Sequence, residues 1–217
     1  MRLVTDAANL RTPTRQEALW AGDFGKEYIE RNRDDQLIEN NKALFAKVLA
    51  ASGGTIGSAI EFGANIGNNL RALRDLLPDA ELAAIEINEE AASHIEAWGG
   101  ATVTVASILD HEPAAASHDL AFTKGVLIHL NPDALPEVYD KLVAASRRWV
   151  MVCEYYNPTP VEVTYRGETA ALFKRDFAGE ILDRHPGLRL VDYGFTYHRD
   201  PQHPLDDSTW FLLEKTG

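Results

Sequence analysis

The stretch Glu61-Phe62-Gly63-Ala64-Asn65-Ile66-Gly67 constrains this chain more than any other segment. It follows the apolar run Ser58-Ala59-Ile60 and opens an amphipathic segment, Gly67 to Leu77. A second apolar run, Leu82 to Ile85, then ends in the acid Glu86. Strand, tight Gly turn, helix, strand and acid make up the unit that binds a nucleoside cofactor. Glycine permits the turn's backbone angles and a close ligand approach. A helix N-terminus offers unpaired N–H groups to a negative group, and an acid about 20 residues on can accept both ribose hydroxyls. Asn65 stands where a Gly often sits, and Asn is the non-Gly residue that best tolerates positive φ. The competing reading of the same residues is an ordinary strand-to-helix turn.

A chain of 217 residues is expected to form one domain, or one with a small appendage, and can bury a substantial core. Its net charge of −12 argues against a nucleic-acid partner, because phosphate binding wants a basic face. A few converging Arg and Lys could still form a local pocket for an anionic small molecule. The lone Cys153 excludes an intramolecular disulfide and lies in the apolar run Trp149 to Cys153, as a buried structural thiol would. Met1 to Asp6 lacks the apolar core of a signal peptide, and no run approaches the ~20 apolar residues that span a bilayer. The expectation is a cytoplasmic protein with no membrane partner.

Residues 1–13 read as a loose arm or helix lead-in. From Thr14 to Ala51 the pattern is helical, with Trp20, Phe24 and Tyr28 at i, i+4, i+8 and bends at Gly22 and Gly25. Alternating units follow: strand 58–62, helix 66–77, strand 81–86, helix 88–98, strand 101–105, strand 119–123, helix 133–146 and strand 148–154. Such alternation predicts a mostly parallel sheet with helices on both faces. A helix near Arg175–Arg184 precedes two extended runs, Leu188 to Tyr197 and Ser208 to Glu214. Their polar link, His198 to Asp207, has no room for a crossover helix, so these strands should pair antiparallel.

A dinucleotide fold has two mononucleotide halves, whereas this chain has one set of strands closed by an antiparallel pair, and Asn68 replaces the third Gly. The layout from about Thr55 to Lys215 resembles class I S-adenosylmethionine-dependent methyltransferases. Within that class, Trp20-Ala-Gly-Asp-Phe24-Gly25-Lys-Glu-Tyr28, Phe122 to His129, Tyr155 to Pro160, Lys174 to Glu180 and Asp192 to Asp200 are similar to the methylases associated with pseudaminic acid biosynthesis. The resemblance implies a Rossmann-like α/β fold with a seven-stranded sheet and an antiparallel C-terminal strand. Residues 1–54 would form an N-terminal helical cover and 55–217 the methyltransferase domain. The implied reaction is methyl transfer from S-adenosylmethionine to O or N of a small polar acceptor of the sugar, nucleotide-sugar or nonulosonic-acid type.

Carried over by residue, Gly63, Asn65 and Gly67 match the motif under the methionine part, Glu86 the ribose acid, and Ile87 the adenine cover. Ser107 and Ile108 match the adenine edge, and Lys124, Gly125 and Val126 the segment beside the sulfonium. Tyr28, followed by Arg31 and Asn32, is either core packing or a lid residue on the cofactor carboxylate. His129 is the general-base candidate, with a structural His as its competitor, and Tyr156 is a second catalytic candidate. Tyr155, Asn157, Arg166, Lys174, Arg175 and Tyr197 are acceptor-binding candidates, the cations for an acid and the rings for a sugar. His198, Asp200, His203, Asp206 and Asp207 read as a polar hairpin loop, and no metal is expected. Two other readings remain open: a nicotinamide-dependent oxidoreductase, and a cofactor-binding protein without turnover.

Overall fold

A computed structural model describes residues 11–54, 56–165 and 168–216. The strand-helix alternation is realised as β1 (Ser58–Phe62), α4 (Asn68–Leu76), β2 (Glu81–Glu86), α5 (Glu89–Trp98), β3 (Thr102–Val105), β4 (His118–Lys124), α6 (Leu135–Ala145) and β5 (Ser146–Glu154). After β5 come β6 (Val161–Tyr165), β7 (Glu168–Lys174), α7 (Phe177–Arg184), β8 (Leu188–Phe195) and β9 (Thr209–Lys215). Seven strands form one sheet in the order β3-β2-β1-β4-β5-β9-β8. β1 to β5 run parallel to their neighbours, and β9 enters antiparallel between β5 and β8. The molecule is therefore an α/β, Rossmann-like fold with a mostly parallel sheet and a reversed C-terminal strand.

β1 is buried along its whole length because both faces of the sheet are covered. On one face Leu44, Phe45, Leu70, Leu73, Ile95 and Phe122 form the core; on the other Ile60, Phe62, Leu142, Val152 and Ile181 do so. Cys153 is buried in β5, and its burial pushes the thiol up to about 12.

Three helices precede the sheet: α1 (Arg15–Ala21), α2 (Asp23–Arg31) and α3 (Gln36–Ser52). Thr14 and Glu17 form a capping box that starts α1. α3 belongs to the sheet's core, with Phe45 edge-on to Phe122 at 5.3 Å. α1 and α2 lie instead over the loops. Asn88 Nδ2 donates to Trp20 O at 3.1 Å, and Asn68 Nδ2 to Asn32 O at 2.7 Å. This close approach requires a glycine: a Cβ on Gly25 would stand 2.0 Å from Trp20 O and 2.8 Å from Asn88 Nδ2.

The insert after β5, for which the sequence suggested no element, is a two-stranded hairpin of β6 and β7 outside the main sheet. The helix expected from residue 133 begins at Leu135 after a single tight turn, Pro132–Ala134.

Gly25→Ala should loosen α1 and α2 while leaving the sheet intact. Amide exchange in both helices should quicken on the order of tenfold, the signature of ~1.4 kcal/mol of lost local stability. Rates in β1, β4 and β5 should not change. Unchanged exchange in the helices would mean that the turn absorbs the methyl group.

Candidate functional site

A cavity of about 160 Å3 lies where β1, β2 and β4 end, beneath α1 and α2. Tyr28, Gly63, Asn65, Glu86, Ile87, Ser107, Ile108, Lys124, Gly125, Val126 and His129 all line it. Gly67 does not line it; it stands behind as the N-cap of α4. Gln16, Glu17, Trp20, Gly25, Asn32, Asn41, Ala64, Ile66, Asn68, Asn69, Asn88 and Leu130, which the sequence did not single out as cofactor contacts, complete the wall.

The turn after β1 depends on three residues with positive φ, the third being Gly67 at 84°. Gly63 has φ 79°, and a Cβ there would stand 2.7 Å from Val126 Cγ2. Asn65 has φ 49°, as the sequence reading anticipated, and its Oδ1 accepts from Ile66 N at 2.7 Å. The turn's amides are used within the protein. Gly63 N and Ala64 N donate to Ile85 O at 2.8 and 3.2 Å, Gly67 N to Ala64 O at 2.9 Å, and Asn65 N to Glu86 Oε2 at 2.7 Å. The turn itself therefore leaves no N–H for an anion, while the expectation of unpaired N–H groups at the N-terminus of α4 is untouched by these bonds. Glu86 also accepts from Asn88 N at 2.8 Å. Burial raises its pKa, and these backbone N–H groups oppose the shift.

The wall formed by α3 and α4 has the opposite character. Glu61 is fully buried, and its Oε1 accepts from Asn69 Nδ2 at 2.5 Å. Glu61 Oε2, Asn69 Oδ1 and Asn41 Oδ1 are buried acceptors with no partner among the described residues. Burial raises Glu61 to about 8, against the Asn69 hydrogen bond and the Lys124 charge. The acid heading the Gly turn was the signal for Glu61; nothing in one sequence marked Asn41 or Asn69 as its neighbours along the wall.

The third wall is built by Glu154, which ends β5. Its carboxylate accepts from Val126 N, Leu127 N and Ile128 N at 3.1, 3.2 and 3.4 Å. Burial pushes Glu154 up to about 7 against those three bonds. They bend the chain after β4 into a tight turn, Leu127–His129, so His129 sits on that turn rather than at a strand end. His129 Nδ1 is 2.7 Å from Ala171 O in β7. A carbonyl oxygen only accepts, so Nδ1 carries the proton and Nε2 keeps a lone pair. Burial lowers His129 to about 4.

The loop after β3 is tied to the cover. Ser107 Oγ donates to the Glu17 carboxylate, which also pairs with Arg11, and Arg11 Nε reaches Asp110 at 2.9 Å. Burial would raise Glu17, but hydrogen bonds from Arg11, Ser107 and Thr14 outweigh it and hold the acid at about 2. Lys141 Nζ holds the same loop from below through Leu109 O at 2.6 Å.

The acceptor-binding candidates are not brought into the cavity. Tyr155 OH donates to Asp206 at 3.2 Å, and Lys174 Nζ lies 5.2 Å from the Tyr155 ring. Arg175 pairs with Glu180 at 2.7 Å, and Asn157 Nδ2 donates to Thr159 O at 2.5 Å. Tyr156, the second catalytic candidate, is 43% exposed beside Phe211, and Tyr197 is exposed beside Phe195. Arg166 lies outside the described residues. In the last loop His198 pairs with Asp207 at 2.8 Å, and Asp200 accepts from Gln202 N and His203 N.

No protein-family model matches the chain, and no curated protein matches it. Solved structures do. The Burkholderia thailandensis 1,6-didemethyltoxoflavin-N1-methyltransferase, with its substrate and S-adenosylhomocysteine, aligns at TM-score 0.68 and 18% identity over 98% of this chain and 94% of that one. The magnesium protoporphyrin IX methyltransferase of Synechocystis, bound to S-adenosylhomocysteine, aligns at 0.67 and 14% over 92% and 97%. The plantazolicin methyltransferase BpumL aligns at 0.66 and 14% over 93% and 94%. The chain thus shares the fold of S-adenosylmethionine-dependent methyltransferases. Among the described residues no helix is long and apolar enough to cross a membrane.

The buried acids make stability depend on pH with a definite sign. Glu61, at about 8 in the folded chain against 4.5 unfolded, stabilises fully below 4.5 and loses that contribution as pH rises through 8. Glu154, at about 7, acts the same way. His129, at about 4 against 6.5, stabilises fully above 6.5 and less as pH falls through 4. Scanning calorimetry of Glu61→Gln should therefore show a smaller fall in Tm between pH 6 and pH 9 than the native chain. An equal fall would mean that Glu61 is ionised throughout.

Proposed function

We propose that this chain is an S-adenosylmethionine-dependent methyltransferase acting on an oxygen or nitrogen of a small acceptor. The observation that carries this reading is the division of polar groups in the cavity. The Gly turn has used its own amides, while Glu61, Asn69 and Asn41 present buried oxygens with no donor. A pyrophosphate needs donors and would meet these buried acceptors instead. An amino acid's ammonium supplies the missing donors, so the methionine half of this cofactor fits this wall better than a pyrophosphate does. The shared fold adds support, since the aligned methyltransferases hold S-adenosylhomocysteine.

In this reading Glu86 would accept from the ribose, Ile87, Ser107 and Ile108 would flank the adenine, and Tyr28 would close over the methionine carboxylate. Bound there, the cofactor supplies a methyl group on a positively charged sulfur. The chain's own task is to align, to exclude water and to handle a proton. α1 and α2 exclude water. The ring of His129, held by Ala171 O, keeps Nε2 free to take a proton from the acceptor. The neighbours act on different compounds, namely 1,6-didemethyltoxoflavin, magnesium protoporphyrin IX and plantazolicin, so the fold does not choose the acceptor. The sugar- or nonulosonic-type acceptor implied by the resemblance would be served by Tyr155, Asn157, Lys174, Arg175 and Tyr197, which stand outside the cavity lining.

Calorimetry with S-adenosylhomocysteine and with NADH tests the reading directly: the first should bind and the second should not. Glu86→Ala should weaken binding by ~2–4 kcal/mol, at ~1.5–3 kcal/mol per charge-assisted bond less water rescue. Unchanged affinity in the folded variant would remove Glu86 from the site. Amide exchange in α1 and α2 should also slow when S-adenosylhomocysteine is added.

A further inference from the structure

We propose that Lys141, on α6, is a positioning residue for the base of the cofactor. It takes the carbonyls of Ile108 and Leu109, so the loop after β3 offers the cavity a backbone donor and no backbone acceptor. The loop then accepts adenine, whose ring N1 carries a lone pair, and rejects hypoxanthine, whose N1 carries a proton. The inference rests on the methyltransferase reading above and adds a residue that stands outside the cavity lining.

Lys141 is 5% exposed and does not line the cavity. Its Nζ donates to Leu109 O at 2.6 Å and to Ile108 O at 3.3 Å. The same ammonium pairs with Glu137 at 2.8 Å and Glu112 at 3.1 Å. A buried ammonium costs free energy that an apolar side chain of similar shape does not. Its buried neighbours on α6, Leu135, Val138, Leu142 and Ala145, are apolar and belong to the core. A methionine at 141 would pack as well, so packing alone does not account for the lysine. What the lysine adds is donors, and two of its bonds go to one loop.

The other polar groups of that loop are spent on Ser107. Leu109 N donates to Ser107 Oγ at 3.1 Å, and Asp110 N and His111 N donate to Ser107 O at 3.1 and 2.9 Å. Ser107 Oγ donates onward to Glu17. With Lys141 on the next two carbonyls, the backbone oxygens of residues 107–109 are all engaged. Ile108 N has no partner among the described residues, and Ile108 lines the cavity. A free amide beside engaged carbonyls selects a ring nitrogen with a lone pair. A ring N–H in the same place would leave itself and Ile108 N unpartnered. Without the lysine, both carbonyls are free to turn and accept from such an N–H.

The test uses the full chain and calorimetry with S-adenosylhomocysteine and S-inosylhomocysteine, which differ only in the base. The native chain should favour the first about tenfold or more, the scale of one unsatisfied hydrogen bond. In Lys141→Met that preference should shrink to within about threefold. Lys141→Arg, which keeps the charge and the donors, should preserve it. Circular dichroism melts confirm folding, and the neutral, shorter Lys141→Gln carries the same comparison should the methionine variant not fold. A merely structural role would weaken both ligands alike and leave their ratio as in the native chain. An unchanged ratio in the neutral variants, or no preference in the native chain, overturns the proposal. Failure of S-adenosylhomocysteine itself to bind overturns the methyltransferase reading as well.

Discussion

Parallel strands that stop at one edge leave their loops with backbone N–H groups in need of acceptors, and this need organises the site. Two strand-ending acids meet it. Glu86 closes β2 and takes Asn65 N and Asn88 N; Glu154 closes β5 and takes Val126 N, Leu127 N and Ile128 N. Each carboxylate therefore sets the shape of a loop belonging to another strand. The Gly turn after β1 is shaped by an acid from β2, and the His129 turn after β4 by an acid from β5. Burial raises both acids, so their bonds and their charge are held in tension.

The cover adds a second layer of constraint. α1 and α2 attach through Asn88 to the β2 loop, through Asn68 to α4, and through Glu17 to Ser107 after β3. The three ties reach three different cavity walls. Glu17 serves twice, as cap of α1 and as partner of Ser107, so the start of the first helix and the loop after β3 share one carboxylate. Movement of the cover would have to break these three bonds.

Much of this was legible in the residues. The β1–α4–β2 unit with Gly63, Asn65 and Glu86 was readable because hydrophobic period and Gly position are local signals. The antiparallel end followed from a link too short and polar for a crossover. The β6–β7 hairpin was not readable, because Val161, Val163 and Tyr165 alternate over too few residues to stand out. The wall of Asn41, Asn69 and Glu61 was hidden for a different reason: its members come from α3, α4 and β1, and only the packing of those elements makes them neighbours. Tyr156 shows the converse, since a position just past β5 is expected near the site and instead turns toward Phe211 and solvent.

The strand order has a consequence in time. β9 is the last of these strands to leave the ribosome, yet it lies inside the sheet between β5 and β8. α3 is among the first elements made, and it waits for the same end of the chain: Asn40 Nδ2 bonds Pro204 O at 2.8 Å, and Leu205 shares a core with Leu44 and Phe45. During synthesis the nascent chain therefore carries an unfilled sheet edge and an early helix that lacks part of its packing until the final hairpin emerges. Such long-range pairing slows folding and leaves apolar surface open in the meantime. A ribosome stall before residue 208 would release a sheet that no earlier segment of the chain could close.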